Sequence, residues 1–275
     1  MILVNGKPAS SVRVSDRGLQ YGDGLFETLA VTHGQCLCLD RHLARLTSGC
    51  HALEIPALGE AELKSDLRTV SHGVARGVVK IIITRGVGAR GYRTSSAATP
   101  TRIVSSHPWP PFPPPNRTEG IALRVCRTRL SINTRLAGLK HLNRLEQVLA
   151  VNEIDDPKFS EGLMLDTEGV VVEGTMSNLF YVAAGRLRTP ELSRCGVHGI
   201  IRAEILDWAR SHLDEPVELT RDKPETVLES EECFVCNSLI GIWPVREIEN
   251  RQIPLGTMTK NIRSDLEAAK VIAAD

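Results

Sequence analysis

Apolar positions along this chain recur with a period of two or of three to four, and the spacing switches often. Ile2-Leu-Val4 before the turn pair Asn5-Gly6, Phe26-Glu-Thr-Leu-Ala-Val31 before His33-Gly34, and Cys36-Leu-Cys-Leu39 predict short antiparallel strands. Asp40 is placed to cap a helix with Leu43, Leu46 and Leu53 along one face, and residues 63–74 repeat the helical spacing. Val78-Val-Lys-Ile-Ile-Ile-Thr84 predicts a strand, Gly86, Gly88 and Gly91 a mobile loop, and Thr101-Arg-Ile-Val-Ser-Ser106 a returning strand.

His107-Pro-Trp-Pro-Pro-Phe-Pro-Pro-Pro115 holds six of the fifteen prolines, which predicts a stiff, extended connection. Beyond it come strands near 121–129, a helix whose mouth carries Lys140, and a hairpin of Gly162-Leu-Met-Leu-Asp166 with Val170-Val-Val172. Leu179-Phe-Tyr-Val182, Gly185-Arg-Leu-Arg188 and Glu232-Cys-Phe-Val-Cys236 add strands, and residues 200–212 read as a helix. Such mixed order predicts an α+β fold rather than a doubly wound sheet. The expected domains are a small N-terminal one over 1–106, a proline-rich linker over 107–115 and a larger one over 116–275, with the site in the cleft between them.

Charge changes the picture by exclusion. Thirty-three basic residues balance thirty-three acidic ones, so no net field favours nucleic acid or an anionic membrane surface. No apolar run approaches the roughly 18 residues of a membrane span, and Met1-Ile-Leu-Val4 is too short for a signal-peptide core, so a cytoplasmic protein is expected. The seven cysteines are scattered through apolar runs and read as reduced core residues. Cys36-x-Cys38 and Cys233-x-x-Cys236 lack the companion ligands of a zinc site, so no metal is expected.

Lys140 is a lone cation among apolar neighbours. An amine held there loses solvation, which favours the neutral, nucleophilic form able to join an aldehyde as a Schiff base. Thirty-three residues on, Glu173 ends a β-branched run, placed to hold a protonated pyridine nitrogen, and Gly174, Thr175, Ser177 and Asn178 can orient it. Together they point to pyridoxal phosphate. Cys195-Gly-Val-His-Gly-Ile-Ile-Arg202 runs from a turn into a helix, so the amides of Ile200 and Ile201 can receive a phosphate, aided by Arg45, Asn237 and Ser238.

These residues carry a resemblance. Ser15-Asp-Arg-Gly-Leu-Gln-Tyr-Gly-Asp-Gly-Leu-Phe-Glu-Thr28, the segment from Arg41 to Arg45, Lys140, Glu173-Gly-Thr-x-Ser-Asn178, Gly199-Ile-Ile-Arg202 and Asn237-Ser238 resemble, in order, the fold-type IV pyridoxal phosphate family of branched-chain and D-amino acid aminotransferases. Within it, Gly138-Leu-Lys-His-Leu-Asn-Arg-Leu-Glu-Gln147 and Thr84-Arg-Gly-x-Gly-x-Arg-Gly-Tyr92 resemble the aminodeoxychorismate lyase branch. The resemblance implies that Lys140 holds pyridoxal 5′-phosphate, Glu173 meets its ring nitrogen, Arg144 lies near its phenolic oxygen, and Arg45, Ile200, Ile201 and Ser238 bind its phosphate. It also implies a homodimer.

For the lyase branch the implied reaction takes 4-amino-4-deoxychorismate to 4-aminobenzoate and pyruvate. Lys140 would serve as base, Thr28 would help protonate the departing enol, and Arg90, Tyr92 and Arg93 would bind the dianionic substrate. Contact with an aminodeoxychorismate synthase is compatible with this, but no stretch of the chain marks it. Glu27 is the more aminotransferase-like choice at its position, so an aminotransferase of branched-chain or D-amino acids stays open.

Overall fold

The structure is a computed structural model that describes residues 1–56, 59–95 and 98–274. Two compact units emerge: Met1–Pro110 with Leu139–Asn143, and Pro111–Gly138 with Arg144–Asp275. The Lys140 segment, expected in the second half, therefore groups with the first unit.

In the first unit β1 (Ile2–Val4), β2 (Lys7–Pro8), α1 (Arg17–Tyr21), β3 (Gly24–Thr32), β4 (Gln35–Cys36), α2 (Leu39–Ala52), α3 (Glu60–Ser71), β5 (Arg76–Thr84) and β6 (Thr101–Pro108) follow in turn. The six strands form one antiparallel sheet in the order β2-β1-β6-β5-β3-β4. Strict alternation explains its core: Leu25, Leu29 and Val31 of β3 and Val79, Ile81 and Ile83 of β5 turn inward onto Leu43 and Leu46 of α2 and Leu63 and Leu67 of α3. Each such side chain, once buried, contributes about 1.5–3 kcal/mol. Phe26, Thr28 and Lys80 are left on the opposite face.

Three expectations fail here. The strand over Cys36-Leu-Cys-Leu39 ends at Cys36, because Cys38 adopts φ 50° and α2 begins at Leu39. Asp40 consequently lies inside the first turn instead of capping it. The proline-rich connection is also shorter than 107–115. Pro108 closes β6 beyond the end of β1, where the strand is locally an edge, and Pro115 starts α4 (Pro115–Thr118) at a position that needs no N–H donor.

The second unit continues with β7 (Ile121–Leu130), α5 (Leu145–Val151), β8 (Phe159–Asp166), β9 (Val171–Gly174), β10 (Asn178–Ala183), β11 (Arg186–Pro190), α6 (Ile200–His212), β12 (Glu218–Thr220) and α7 (Pro224–Leu228). β13 (Glu232–Asn237), β14 (Gly241–Ile248), β15 (Arg251–Gln252) and α8 (Thr257–Ala268) complete it. The sheet runs β12-β11-β10-β13-β14-β7-β8-β9 with β15 beside β14; β14, β7 and β8 pair in parallel, and so do β11 and β12. Both faces are covered. Leu179 and Tyr181 of β10 join one cluster with Val235 and Val245, while Phe180 and Val182 join another with Ile205 of α6 and Ile262 of α8. That is why the central strands read as unbroken apolar runs. The two unequal units, one antiparallel and one mixed, are the expected α+β architecture. Among the described residues no helix is long and apolar enough to cross a membrane.

Candidate active site

Lys140 heads no helix, since α5 begins only at Leu145. Its segment runs instead along β3, whose edge β4 covers only at Val31 and Thr32. The Phe26 amide donates to the Lys140 carbonyl at 3.0 Å, the Leu142 amide donates to the Gly24 carbonyl at 3.0 Å, and His141 pairs with Leu25. Gly24 permits the approach: a Cβ there would stand 2.4 Å from the Ile83 carbonyl oxygen and 2.8 Å from a Leu142 methyl. This is a physical reason for the last glycine of the Tyr21-Gly-Asp-Gly24 motif.

Directly opposed residues of an antiparallel pair share a face, which puts Lys140 beside Phe26. Its Nζ lies 4.3 Å from the centre of that ring, a cation–π contact. Thr28 follows on the same face of β3, opposite Lys80 of β5, whose Nζ lies 5.5 Å from the same ring centre. Lys140, Thr28 and Lys80 are all half-buried. Lys80 escaped the sequence analysis, where a lone lysine in a β-branched run reads as solvated. The alternation was the available signal, because Val79, Ile81 and Ile83 take the core and leave Lys80 the other side.

On the inner face Glu27 is wholly buried and gripped from α2. Arg45 donates from Nε to Oε1 at 2.7 Å and from Nη2 to Oε2 at 2.5 Å, and His42 Nδ1 lies 2.6 Å from Oε2. Burial pushes the Glu27 carboxyl up, but the bonds from His42 and Arg45 and the charge of Arg45 outweigh it, leaving it below the usual carboxylate range. For His42 burial dominates and lowers the pKa. Nε and Nη2 of Arg45 are thus both committed to Glu27. Arg90, Tyr92 and Arg93 lie exposed on the loop between β5 and β6.

In the second unit Glu173 sits on β9 with only 4% of its surface exposed. Its Oε2 accepts from the Val197 amide at 2.8 Å and from Asn178 Nδ2 at 3.4 Å, and Asn178 donates also to the Val197 carbonyl at 2.9 Å. Arg144, at the start of α5, and Arg202, on α6, are both depressed by burial and both supported by the charge of Glu173. Two N–H donors thus meet one carboxylate oxygen, and the Glu173 charge is felt by two guanidinium groups. Gly199 caps α6 without a side-chain bond, so the first-turn amides at Ile200 and Ile201 face outward at the positive end of the helix. Asn237 spends its side chain locally, accepting from the Leu239 and Ile240 amides at 2.8 and 2.9 Å and donating to the Met176 carbonyl at 3.0 Å. It shapes the turn that carries Ser238.

Of the polar residues after Glu173, only Asn178 orients it. Thr175 and Ser177 serve Glu161, a residue that no local pattern singles out. Glu161 is 1% exposed and accepts from the Gly162 amide at 2.9 Å, the Thr175 amide at 3.0 Å, the Ser177 hydroxyl at 2.8 Å and the Thr175 hydroxyl. Burial pushes its carboxyl up against the pull of those donors. Glu161→Leu, which strands the donors in an apolar setting, is expected to cost about 3–5 kcal/mol. Thermal unfolding should show a midpoint lowered by roughly 10 °C.

The whole-chain comparisons fit this geometry. Residues 24–248 match the model of the family described as amino-transferase class IV. The chain belongs to this family. It is 35% identical to an aminodeoxychorismate lyase of Vibrio harveyi over 97% of this chain and 99% of that one. A crystal structure of a 4-amino-4-deoxychorismate lyase from Pseudomonas aeruginosa superposes with a TM-score of 0.94 at 46% identity, covering 99% of this chain and all of that one. The branched-chain amino acid aminotransferase of Escherichia coli, at 23% identity and a TM-score of 0.85 over 100% and 96% of the two chains, shares the fold. The class IV family thus accounts for both sheets.

Proposed function

We propose that the protein is a pyridoxal phosphate-dependent lyase that converts 4-amino-4-deoxychorismate to 4-aminobenzoate and pyruvate. One observation carries the assignment: the end-to-end match, at 46% identity, to a solved structure described as that lyase. The donor set fits the cofactor. A half-buried amine, a buried carboxylate fed by two N–H donors and uncapped helix amides are what an aldehyde, a pyridine nitrogen and a phosphate require.

Pyridoxal 5′-phosphate supplies an aldehyde carbon for amines and a ring that accepts electrons from a breaking bond. Lys140 Nζ would hold the group and, when free, would act as the base that takes up the ring proton of the substrate. Glu173 would hold the protonated pyridine nitrogen. The Ile200 and Ile201 amides, Ser238 and Arg45 would bind the phosphate, and Arg144 would attend the phenolic oxygen. Thr28 Oγ1 would relay to the departing enolpyruvyl group the proton that Lys140 had taken up. Arg90, Tyr92 and Arg93 bind the substrate carboxylates, joined by Lys80 on the face that Thr28 and Lys140 share.

The protein acts in the cytoplasm as a homodimer. Leu145, Val148, Leu149 and Val151 support a subunit contact, because all four stand exposed on α5 with between 46 and 69% of their surface open. Incubating purified protein with 4-amino-4-deoxychorismate should yield 4-aminobenzoate and pyruvate in equal amounts. Absence of 4-aminobenzoate, together with half-transamination of D-alanine or a branched-chain amino acid, overturns the lyase assignment in favour of an aminotransferase.

A further inference from the structure

The glycine-rich loop after β5 is pinned from within the first unit by a residue that has no part in the chemistry so far. Arg17, the first residue of α1, is 4% exposed. Its Nη1 donates to the Gly91 carbonyl at 2.8 Å and its Nη2 to the Tyr92 carbonyl at 3.2 Å, while Nε donates to Asp23 Oδ2 at 2.9 Å. The backbone joins in, with the Arg17 amide donating to the Gly86 carbonyl at 2.9 Å. Tyr21, one turn along α1, lies 4.7 Å below the guanidinium carbon, accepts from the Gly91 amide at 3.1 Å and meets the Tyr92 ring edge-on at 5.6 Å. Gly88 makes the approach possible, since a Cβ there would come within 2.8 Å of Arg17 Cδ.

Asp23 anchors this arrangement to the unit's core. It also receives Arg85, from Nε at 2.8 Å and Nη2 at 3.1 Å, and Arg85 donates onward to the Leu53 and Glu54 carbonyls past the end of α2. Burial would raise the Asp23 carboxyl, yet the two guanidinium groups hold it below its ordinary value. A loop with three glycines is costly to order, because each fixed residue loses backbone freedom. Bonds from a charged donor are the stronger kind and offset that cost, and here two fall on adjacent carbonyls. Those carbonyls belong to the residues between Arg90 and Arg93, so fixing them fixes where both exposed cations leave the backbone.

We propose that Arg17 is a positioning residue for substrate recognition: it presets the Gly91 and Tyr92 backbone so that Arg90, Tyr92 and Arg93 meet the anionic substrate already ordered. The role rests on the lyase assignment, which makes that loop a carboxylate-binding element. Arg17 itself is spent on the two carbonyls and Asp23 and binds no substrate.

Two variants of the holoenzyme test it. Arg17→Lys keeps the charge but loses the fork, and Tyr21→Phe removes only the hydroxyl that accepts from Gly91. In Arg17→Lys, KM for 4-amino-4-deoxychorismate should rise by at least roughly tenfold with kcat within about threefold of wild type, and in Tyr21→Phe the rise should be smaller. Amide hydrogen exchange in peptides spanning 86–93, measured without substrate, should quicken in both, while the cofactor absorbance stays that of wild type. Wild-type enzyme that makes no 4-aminobenzoate overturns the lyase assignment, and the substrate role of Arg17 falls with it. Wild-type turnover with KM unmoved in both variants, or a loss that falls on kcat and cofactor retention instead, overturns the role of Arg17 alone.

Discussion

Lys140→Ala is expected to abolish turnover, with kcat lower by about four orders of magnitude or more, because in the proposed reaction one nitrogen both carries the cofactor and moves the substrate proton. The fold should survive. Only the side chain beyond Cβ is lost, and the bonds that dock the segment onto β3 run through the Lys140 carbonyl and the Leu142 amide. The thermal midpoint should therefore stay within a few degrees of wild type. Borohydride reduction followed by peptide mapping supplies the second reading: in wild type the peptide containing Lys140 gains the mass of the reduced cofactor, and in the variant no peptide does. Lys80 makes the test exacting, since its amine approaches the same Phe26 ring. A reduced adduct found on Lys80, or a variant that still releases 4-aminobenzoate at the wild-type rate, overturns the role given to Lys140.

The difference between what was legible in the chain and what was not follows the range of the interactions involved. β3 and β5 announce themselves because their core residues alternate within a few positions, β10 because it is a short unbroken apolar run, and α6 because Gly199 and the following apolar spacing are local. Lys140 stood out as a lone cation among apolar residues but was misplaced as structure. Leu142, Leu145 and Leu149 have helical spacing, but residues 139–143 are held by hydrogen bonds to β3, far earlier in the chain, which no local pattern can report. β14 was passed over because Pro244 and the charged pair Arg246 and Glu247 interrupt its apolar run. The sheet tolerates them at an irregularity, where the register against β7 shifts between Val245 and Glu247. Glu161 was invisible for a related reason: its donors lie on a loop some fifteen residues on, and a glutamate in a strand gives no sign of being buried.

Glu173→Gln separates charge from shape at the second essential position. The glutamine oxygen can still accept from the Val197 amide, so β9 and the turn before α6 should keep their arrangement. What disappears is the negative charge beside the pyridine nitrogen, and with it the reason for that nitrogen to stay protonated. Removing one preorganised electrostatic partner of a reacting group typically costs 10²–10³ in kcat, about 2.7–4 kcal/mol, and a loss of that order is expected here. Cofactor should remain bound, because the phosphate is held by the α6 amides and Ser238, and the covalent link by Lys140. Arg144 and Arg202 lose a nearby carboxylate, which should lower the thermal midpoint by a few degrees. Asn178→Ala serves as the graded control. It removes a 3.4 Å bond to the same oxygen and one of its ties to the Val197 segment, so its kcat should fall between wild type and Glu173→Gln. A Glu173→Gln enzyme with kcat within threefold of wild type would show that the carboxylate serves the fold of β9 and not the ring nitrogen.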